Sequence, residues 1–156
     1  MATVDSKELV RRFIDTLDSR ELSQLDEICD ADLIYSMNGE VISQGLDAFK
    51  QANQAADNAF PDLRRSIEEL IGEGELVHVI YTMSGTFKNE YMGIPPGDEL
   101  ITHRASSVIL VEDEKIVAQN DYFDWLTFLK DLGAVDEQVR PGGDQWPAGG
   151  AWLRPL

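Results

Sequence analysis

Beyond Phe60-Pro61 the hydrophobic pattern of this chain changes period, and it stays changed as far as Phe123. The segment "DLRRSIEELIGEGELVHVIYTMSGTF" reads as two strands joined by a turn at Gly72–Gly74. "LITHRASSVILVEDEKIVAQNDYF" gives two more, hinged at Glu112–Glu114. Between these pairs lies "KNEYMGIPPGDE", whose Gly93, Pro95, Pro96 and Gly97 suit a loop and no regular element. The run Leu76 to Tyr81 is β-branched and almost continuously apolar, the pattern of a central strand covered on both faces. Successive strands with short connections make a mostly antiparallel sheet, and the rest of the chain must cover it.

The covering elements precede the sheet. Leu9, Val10, Phe13, Ile14 and Leu17 form a helical stripe with Ser6 as its expected N-cap, and a second short helix uses Leu22, Leu25 and Ile28. "ADLIYSMNGEVIS" reads as a hairpin with an Asn38-Gly39 turn, and "GLDAFKQANQAADNAF" is helical again. Two or three helices, four or five mostly antiparallel strands and one last helix make the fold class α+β. Residues 1–133 form the folded domain, and residues 134–156 a Pro/Gly/Trp-rich tail. The pattern leaves open whether Trp146 and Trp152 hang loose or pack on the body or a second subunit.

At 156 residues there is room for one core. The formal charge of −16 would repel nucleic-acid phosphates and anionic lipid, and the densest basic spots, Arg11-Arg12 and Arg64-Arg65, are only pairs. Ordinary solubility accounts for that charge, with a high-salt host as the alternative. No apolar run approaches the roughly 20 residues that span a bilayer, and "MATVDSKELVRRF" lacks a secretory apolar segment. The expected location is cytoplasmic. Cys29 is the lone cysteine and has no CxxC partner. With no HExxH, phosphate loop or dinucleotide fingerprint, neither a metal nor an organic cofactor is expected.

Two aspartates stand among aromatic rings in "KIVAQNDYFDWLTFLKDLG". Asp124 directly precedes an amphipathic segment that ends at Gly133, which makes it an N-cap. Asp121 is not needed for that task. Strand alternation gives it a face shared with Val117, Gln119 and Phe123. If that face lines a cavity, burial raises the carboxyl pKa and makes it a better proton acceptor. Spacing alone leaves open a solvated face or an arginine pair. Of the two histidines, His78 falls on the strand face opposite Tyr81 and Met83, whereas His103 shares a face with Ser107, about 13 Å along the strand.

Several segments resemble the SnoaL-like polyketide cyclase family, with its nuclear-transport-factor-like cone fold. They are Ala59-Phe60-Pro61-Asp62, Met92-Gly93-Ile94-Pro95-Pro96, Asp113 with Lys115-Ile116, Asp121, and Leu132-Gly133. The resemblance implies a cone-shaped barrel, a curved sheet wrapped around the N-terminal helices and enclosing an apolar pocket. It also implies that Asp121 is the acid/base of an intramolecular aldol closure, and that the chain pairs as a homodimer through the convex face of the sheet. The family carries a histidine where this chain has Ser107, which is a departure. Asn120-Asp121-Tyr122-Phe123-Asp124 and Tyr35 also resemble limonene-type epoxide hydrolases. Those enzymes need a second, arginine-bridged aspartate where this chain has Tyr81 and Met83, and methionine has no proton to give.

The expected activity is cofactor-independent acid/base chemistry of cyclase, isomerase or lyase type on a bulky apolar carbonyl compound. Asp121 is the expected base, with His103, Tyr35 and Tyr81 as donors to an enolate oxygen. Met83, Ser107, Gln119 and Phe123 complete the expected substrate surface. The alternative is a non-catalytic binding or interaction module of the same fold.

Overall fold

Helix α1 (Ser6–Ser19) buries the predicted stripe of Leu9, Val10, Phe13, Ile14 and Leu17. Its cap is Asp5 rather than Ser6: the Asp5 carboxylate accepts the Lys7 amide at 2.9 Å, which leaves Ser6 as the first helical residue. These details come from a computed structural model that describes residues 5–135. The tail from residue 136 onward, with Trp146 and Trp152, lies outside the described residues.

A short turn of 3-10 helix at Leu22–Gln24 leads into α2 (Leu25–Ile28), and α3 (Leu46–Ala59) follows the first hairpin. The strands are β1 (Cys29–Met37), β2 (Glu40–Gln44), β3 (Arg64–Glu73), β4 (Leu76–Thr86), β5 (Leu100–Glu112) and β6 (Lys115–Tyr122), and α4 (Trp125–Asp131) closes the series. They form one sheet in the order β2-β1-β6-β5-β4-β3. All pairs are antiparallel except β1 with β6. The sheet does not close on itself. The sheet therefore holds six strands instead of four or five, because the largely exposed return strand β2 pairs along its length with β1.

The run Leu76–Tyr81 is not covered on both faces. Val77, Val79 and Tyr81 are buried against the helices, while Leu76 is 49% exposed and His78 and Ile80 are half-buried. The helices lie on one face only, so the continuous apolar run reflects β-branched residues that suit a pleated surface on either side. The β3–β4 turn is also shorter than expected, Gly74-Glu75, with Gly74 at φ 60 and both Gly72 and Glu73 still paired in β3.

Helices α1, α2 and α3 pack on the inner face of the sheet around Phe13 and Phe49, whose ring centroids are 5.9 Å apart. Burying each such ring contributes roughly 1.5–3 kcal/mol. A second apolar cluster joins Phe60, Leu63, Phe87 and Ile101 to Phe128 of α4 and to Leu132, which caps its C-terminal end. Met83 and Phe123 pack against both clusters. Among the described residues, no helix is long and apolar enough to cross a membrane.

The segments that carried the resemblance have structural work of their own. Asp62 accepts the Thr86 amide and hydroxyl at 2.6 and 2.7 Å, which ties the end of α3 to the end of β4. Met92 and Gly93 adopt left-handed conformations so that Tyr91 can bridge back to Ile94. Lys115 donates to the Asp26 and Glu27 carbonyls, satisfying the end of α2. Gly133, at φ 76, terminates α4.

Candidate active site

Asp121 lies near the end of β6, directly opposite Ser107 of β5 and beside Met37 of β1. Its face differs from the one strict alternation predicts. Ala118 pairs with Leu110 but Ile116 pairs with Val111, so Val117 is an unpaired extra residue. This bulge reverses the phase of the strand. Ile116 is fully buried in the core, Gln119 and Asp121 still face inward, and the half-buried Val117 does not share their face with the core.

The end of β6 is pinned by the Asn38-Gly39 turn. The Asn38 amide donates to the Asp121 carbonyl at 2.7 Å, and its side chain exchanges hydrogen bonds with the Phe123 amide and carbonyl. Asn38 sits at φ 50, which asparagine tolerates better than most residues. Asp124 caps α4 as expected, accepting the Thr127 amide and hydroxyl at 3.1 and 2.6 Å. These bonds hold its carboxyl below the usual range. The two aspartates thus have separate employments.

The Asp121 carboxylate takes three hydrogen bonds from side chains. Ser107 and Gln119 both donate to Oδ1, at 2.5 and 2.7 Å, and the Tyr35 hydroxyl donates to Oδ2 at 3.0 Å. Tyr81 stands one step back, with its hydroxyl 3.2 Å from that of Ser107. Burial pushes the Asp121 pKa up, and the bonds from Gln119, Ser107 and Tyr35 offset part of that effect. Burial, reinforced by the neighbouring Asp121 charge, also pushes both tyrosines up, so they are proton donors throughout the neutral range. Oδ1 carries two donors and Oδ2 one. The open acceptor position is therefore on Oδ2.

Among the described residues, no guanidinium forms an ion pair with this carboxylate. Arg65 reaches the same cavity, but its side chain is held at 2.8 Å by Asp18 of α1, with both groups mostly buried. Among the described residues, no Asp–Arg–Asp arrangement for opening epoxides is formed, since Tyr81 and Met83 occupy that wall.

The cavity in front of Asp121 has a volume of about 600 Å³, within the range of small-molecule sites. Tyr35, Tyr81, Met83, His103, Gln119 and Phe123 all line it. Ser107 is buried and touches the carboxylate instead of the open space. His103 is on the cavity wall, yet it makes no hydrogen bond to Asp121; its ring lies among Phe123 and Phe128, with Nε2 3.0 Å from Asp131 Oδ2. That contact is at ion-pair distance but lacks hydrogen-bond alignment. His78 is on the opposite face of β4, outside the cavity.

Sequence reasoning passed over Phe49, Tyr91, Trp125 and Asp131. Phe49 lies on the apolar stripe of α3, and its ring meets Tyr35 edge-on at 5.3 Å, fixing the tyrosine beside the carboxylate. Gly85 is needed for closeness: a Cβ there would lie 3.0 Å from Phe60 Cβ and 3.3 Å from Leu63 Cα. Cys29 is buried, and burial raises its thiol pKa to about 12, which makes it inert. Among the described residues, no group of three or more histidine, cysteine, aspartate or glutamate side chains is placed to share a metal ion.

The family model described as SnoaL-like polyketide cyclase matches residues 7–132. The chain belongs to that family. Among solved structures similar to this SnoaL-like chain, AclR from Streptomyces galilaeus, provisionally named a hydroxylase, is 19% identical. It has a TM-score of 0.76 over 86% of this chain and 100% of that one. A SnoaL-like polyketide cyclase from Jannaschia Sp. CCS1, also provisionally named, is 16% identical with a TM-score of 0.77, covering 87% and 98%. IdmH from Streptomyces antibioticus, provisionally named a polyketide cyclase, is 21% identical with a TM-score of 0.72, covering 83% and 99%. At these identities the likeness shows the fold alone, and the names differ in reaction. No curated protein matches the chain.

Proposed function

We propose that this SnoaL-like protein is a cytoplasmic, cofactor-independent enzyme that closes a ring in a bulky apolar carbonyl compound by an aldol-type reaction, with Asp121 as general base. The observation that carries this reading is a carboxylate without a cationic partner among the described residues, facing an apolar cavity and touched by a tyrosine hydroxyl.

In this scheme Oδ2 removes a proton from a carbon flanked by carbonyl groups, and the electron pair moves onto the carbonyl oxygen as an enolate. The new Oδ2–H can donate to Tyr35 Oη, which frees the tyrosine hydroxyl to hold the enolate oxygen. The enolate carbon attacks a second carbonyl of the same molecule, and the resulting alkoxide recovers the proton from Asp121. Ser107 and Gln119 anchor Oδ1 throughout, so the reactive oxygen keeps its aim. Isomerisation or dehydration of a similar substrate would use the same base.

A second reading is a binding module that keeps the pocket without the chemistry. Ser107, standing where the family carries a histidine, favours it. Two measurements separate the readings. Asp121→Asn preserves shape and removes the base, so turnover of a cyclisable polyketone should fall at least a hundredfold while ligand affinity changes little. Turnover that survives within a few-fold would end the general-base assignment. The proposed homodimer, for which exposed Ile71 and Leu76 on the outer sheet face supply apolar surface, is checked by light scattering.

A further inference from the structure

Tyr35, Tyr81 and Arg65 all line the cavity, and hydrogen bonding sets what each can offer a ligand. A hydroxyl has one proton to give. Tyr35 gives its proton to Asp121 Oδ2. Ser107 gives its own to Oδ1, so in the 3.2 Å contact between Tyr81 and Ser107 the tyrosine is the donor. While Asp121 is ionised, neither tyrosine has a proton left for a ligand. Arg65 differs. Of its guanidinium nitrogens only Nη1 is engaged, donating to Asp18 Oδ1 at 2.8 Å, and the other Asp18 oxygen takes the Arg65 backbone amide. Among the described residues, the buried side-chain nitrogen and oxygen atoms left without a partner belong to Ser43, His103 and Gln119. The unbonded Nε and Nη2 of Arg65 are therefore open to the space that this residue borders, which is the cavity.

We propose that Arg65 is a catalytic donor whose Nε–Nη2 edge holds the oxygen of a neutral carbonyl, the electrophile of the ring closure. The inference rests on the reading of this cavity as a carbonyl site with Asp121 as base. In that scheme two oxygens gain charge. Tyr35 takes the enolate oxygen once Oδ2 is protonated, and the second carbonyl needs a donor of its own. As the enolate carbon bonds to the second carbonyl carbon, the π pair moves onto oxygen. Arg65 holds that alkoxide until it takes the proton from Asp121. The N–H bonds of the free edge lie parallel, which gives the grip a fixed direction. Asp18 is the positioning residue, because it fixes the opposite side of the guanidinium.

Charge balance selects a neutral acceptor. The Arg65–Asp18 pair is mostly buried, and Arg20 with Asp57, 3.9 Å apart, adjoins it. The two guanidiniums and two carboxylates cancel. A ligand carboxylate would add an uncompensated charge to a desolvated site, whereas a ketone or ester oxygen uses the same donors without that cost. The electrostatics agree with this placement. Burial dominates at Asp121 and Tyr81 and raises both pKa values, and the Arg65 charge opposes it at each. On the sheet Arg65 belongs to β3 and Asp121 to β6, with β4 and β5 between them. Donor and base thus approach the cavity from different strands, and a ligand lies between them.

Benzophenone and diphenylmethane, which differ only in a carbonyl against a methylene, test the proposal without a known substrate. Their affinities are read by displacement of the uncharged dye Nile red. Wild type should hold benzophenone about tenfold tighter, the worth of a hydrogen bond to a charged group, and the bound ketone's C=O stretch should move to lower frequency. Arg65→Lys keeps the charge and the Asp18 contact but has no parallel N–H edge, so it should lose most of the preference and the frequency shift. Arg65→Met strands the Asp18 carboxylate, so it is combined with Asp18→Asn; this double variant should bind the two probes alike. Absence of the preference in wild type, or its survival in either variant when folded, overturns the assignment. Diphenylacetate should bind more weakly than benzophenone, and tighter binding would overturn the choice of a neutral acceptor. Asp121→Asn should keep the preference; its loss there would mean that the carbonyl is read at the base, which also overturns the proposal. Turnover by Asp121→Asn would sink the general-base reading alone.

Discussion

A half-buried, desolvated carboxylate kept for chemistry should cost the fold something, and Asp121→Asn measures that cost without any substrate. The asparagine carbonyl can take Oδ1's place and accept from Ser107 and Gln119. Its amide can donate to the Tyr35 oxygen, whose hydroxyl then turns away. All three contacts survive and the desolvated charge is gone. Such a replacement is worth on the order of 1 kcal/mol, which for a chain of this size raises Tm by about 3 °C. Asp121→Ala, by contrast, strands three donors at about 1–3 kcal/mol each, less whatever entering water recovers. The order of Tm at neutral pH should be Asn above wild type above Ala. The sign with pH follows from the raised carboxyl pKa. Below the ordinary carboxylate range both folded and unfolded chains are protonated, and Asp121 carries no penalty. As pH rises through the folded value, wild type loses stability relative to Asp121→Asn, so the gap widens upward. Circular-dichroism melts from acid to neutral pH read this directly. A wild-type advantage that grows with pH would show that the donors outweigh burial, and the carboxylate would then be a poor base.

Three further outcomes are expected. Tyr35→Phe removes the donor on Oδ2 and should lower turnover about tenfold to a hundredfold, with little change in Tm, since the ring still packs on Phe49; unchanged kcat and KM would remove Tyr35 from the mechanism. Gly85→Ala forces Phe60 or Leu63 to give way and should cost about 1–3 kcal/mol in urea unfolding; a neutral result would mean that the cavity wall is softer than the contacts suggest. Asp124→Ala should cost about 1 kcal/mol as a lost helix cap, with the difference from wild type shrinking as pH falls and the Asp124 carboxylate is neutralised; a loss independent of pH would point to a role other than capping.

The separation of the two aspartates was legible from spacing, because helix capping is local: Asp124 needs only the amides of the next turn. That Gln119, Asp121 and Phe123 share one face was legible for a similar reason, since a strand alternates whatever it packs against, whereas spacing left open which way that face turned. Val117 broke that rule because a bulge depends on how the partner strand pairs, and no pattern within β6 announces it.

What the chain's own order of residues determined was the class of fold, the hairpin at Asn38-Gly39 and the separation of Asp121 from the capping task of Asp124. These follow from periodicity and backbone preference, which act over a few residues. The meeting of Tyr35, Ser107 and Gln119 on that carboxylate, the capture of Arg65 by Asp18, and the His103–Asp131 contact were decided by the curvature and pairing of the sheet. Desolvation is set by all the atoms that surround a group, and residues 86 positions apart supply them here. Basicity at Asp121 is therefore a property of the assembled cavity.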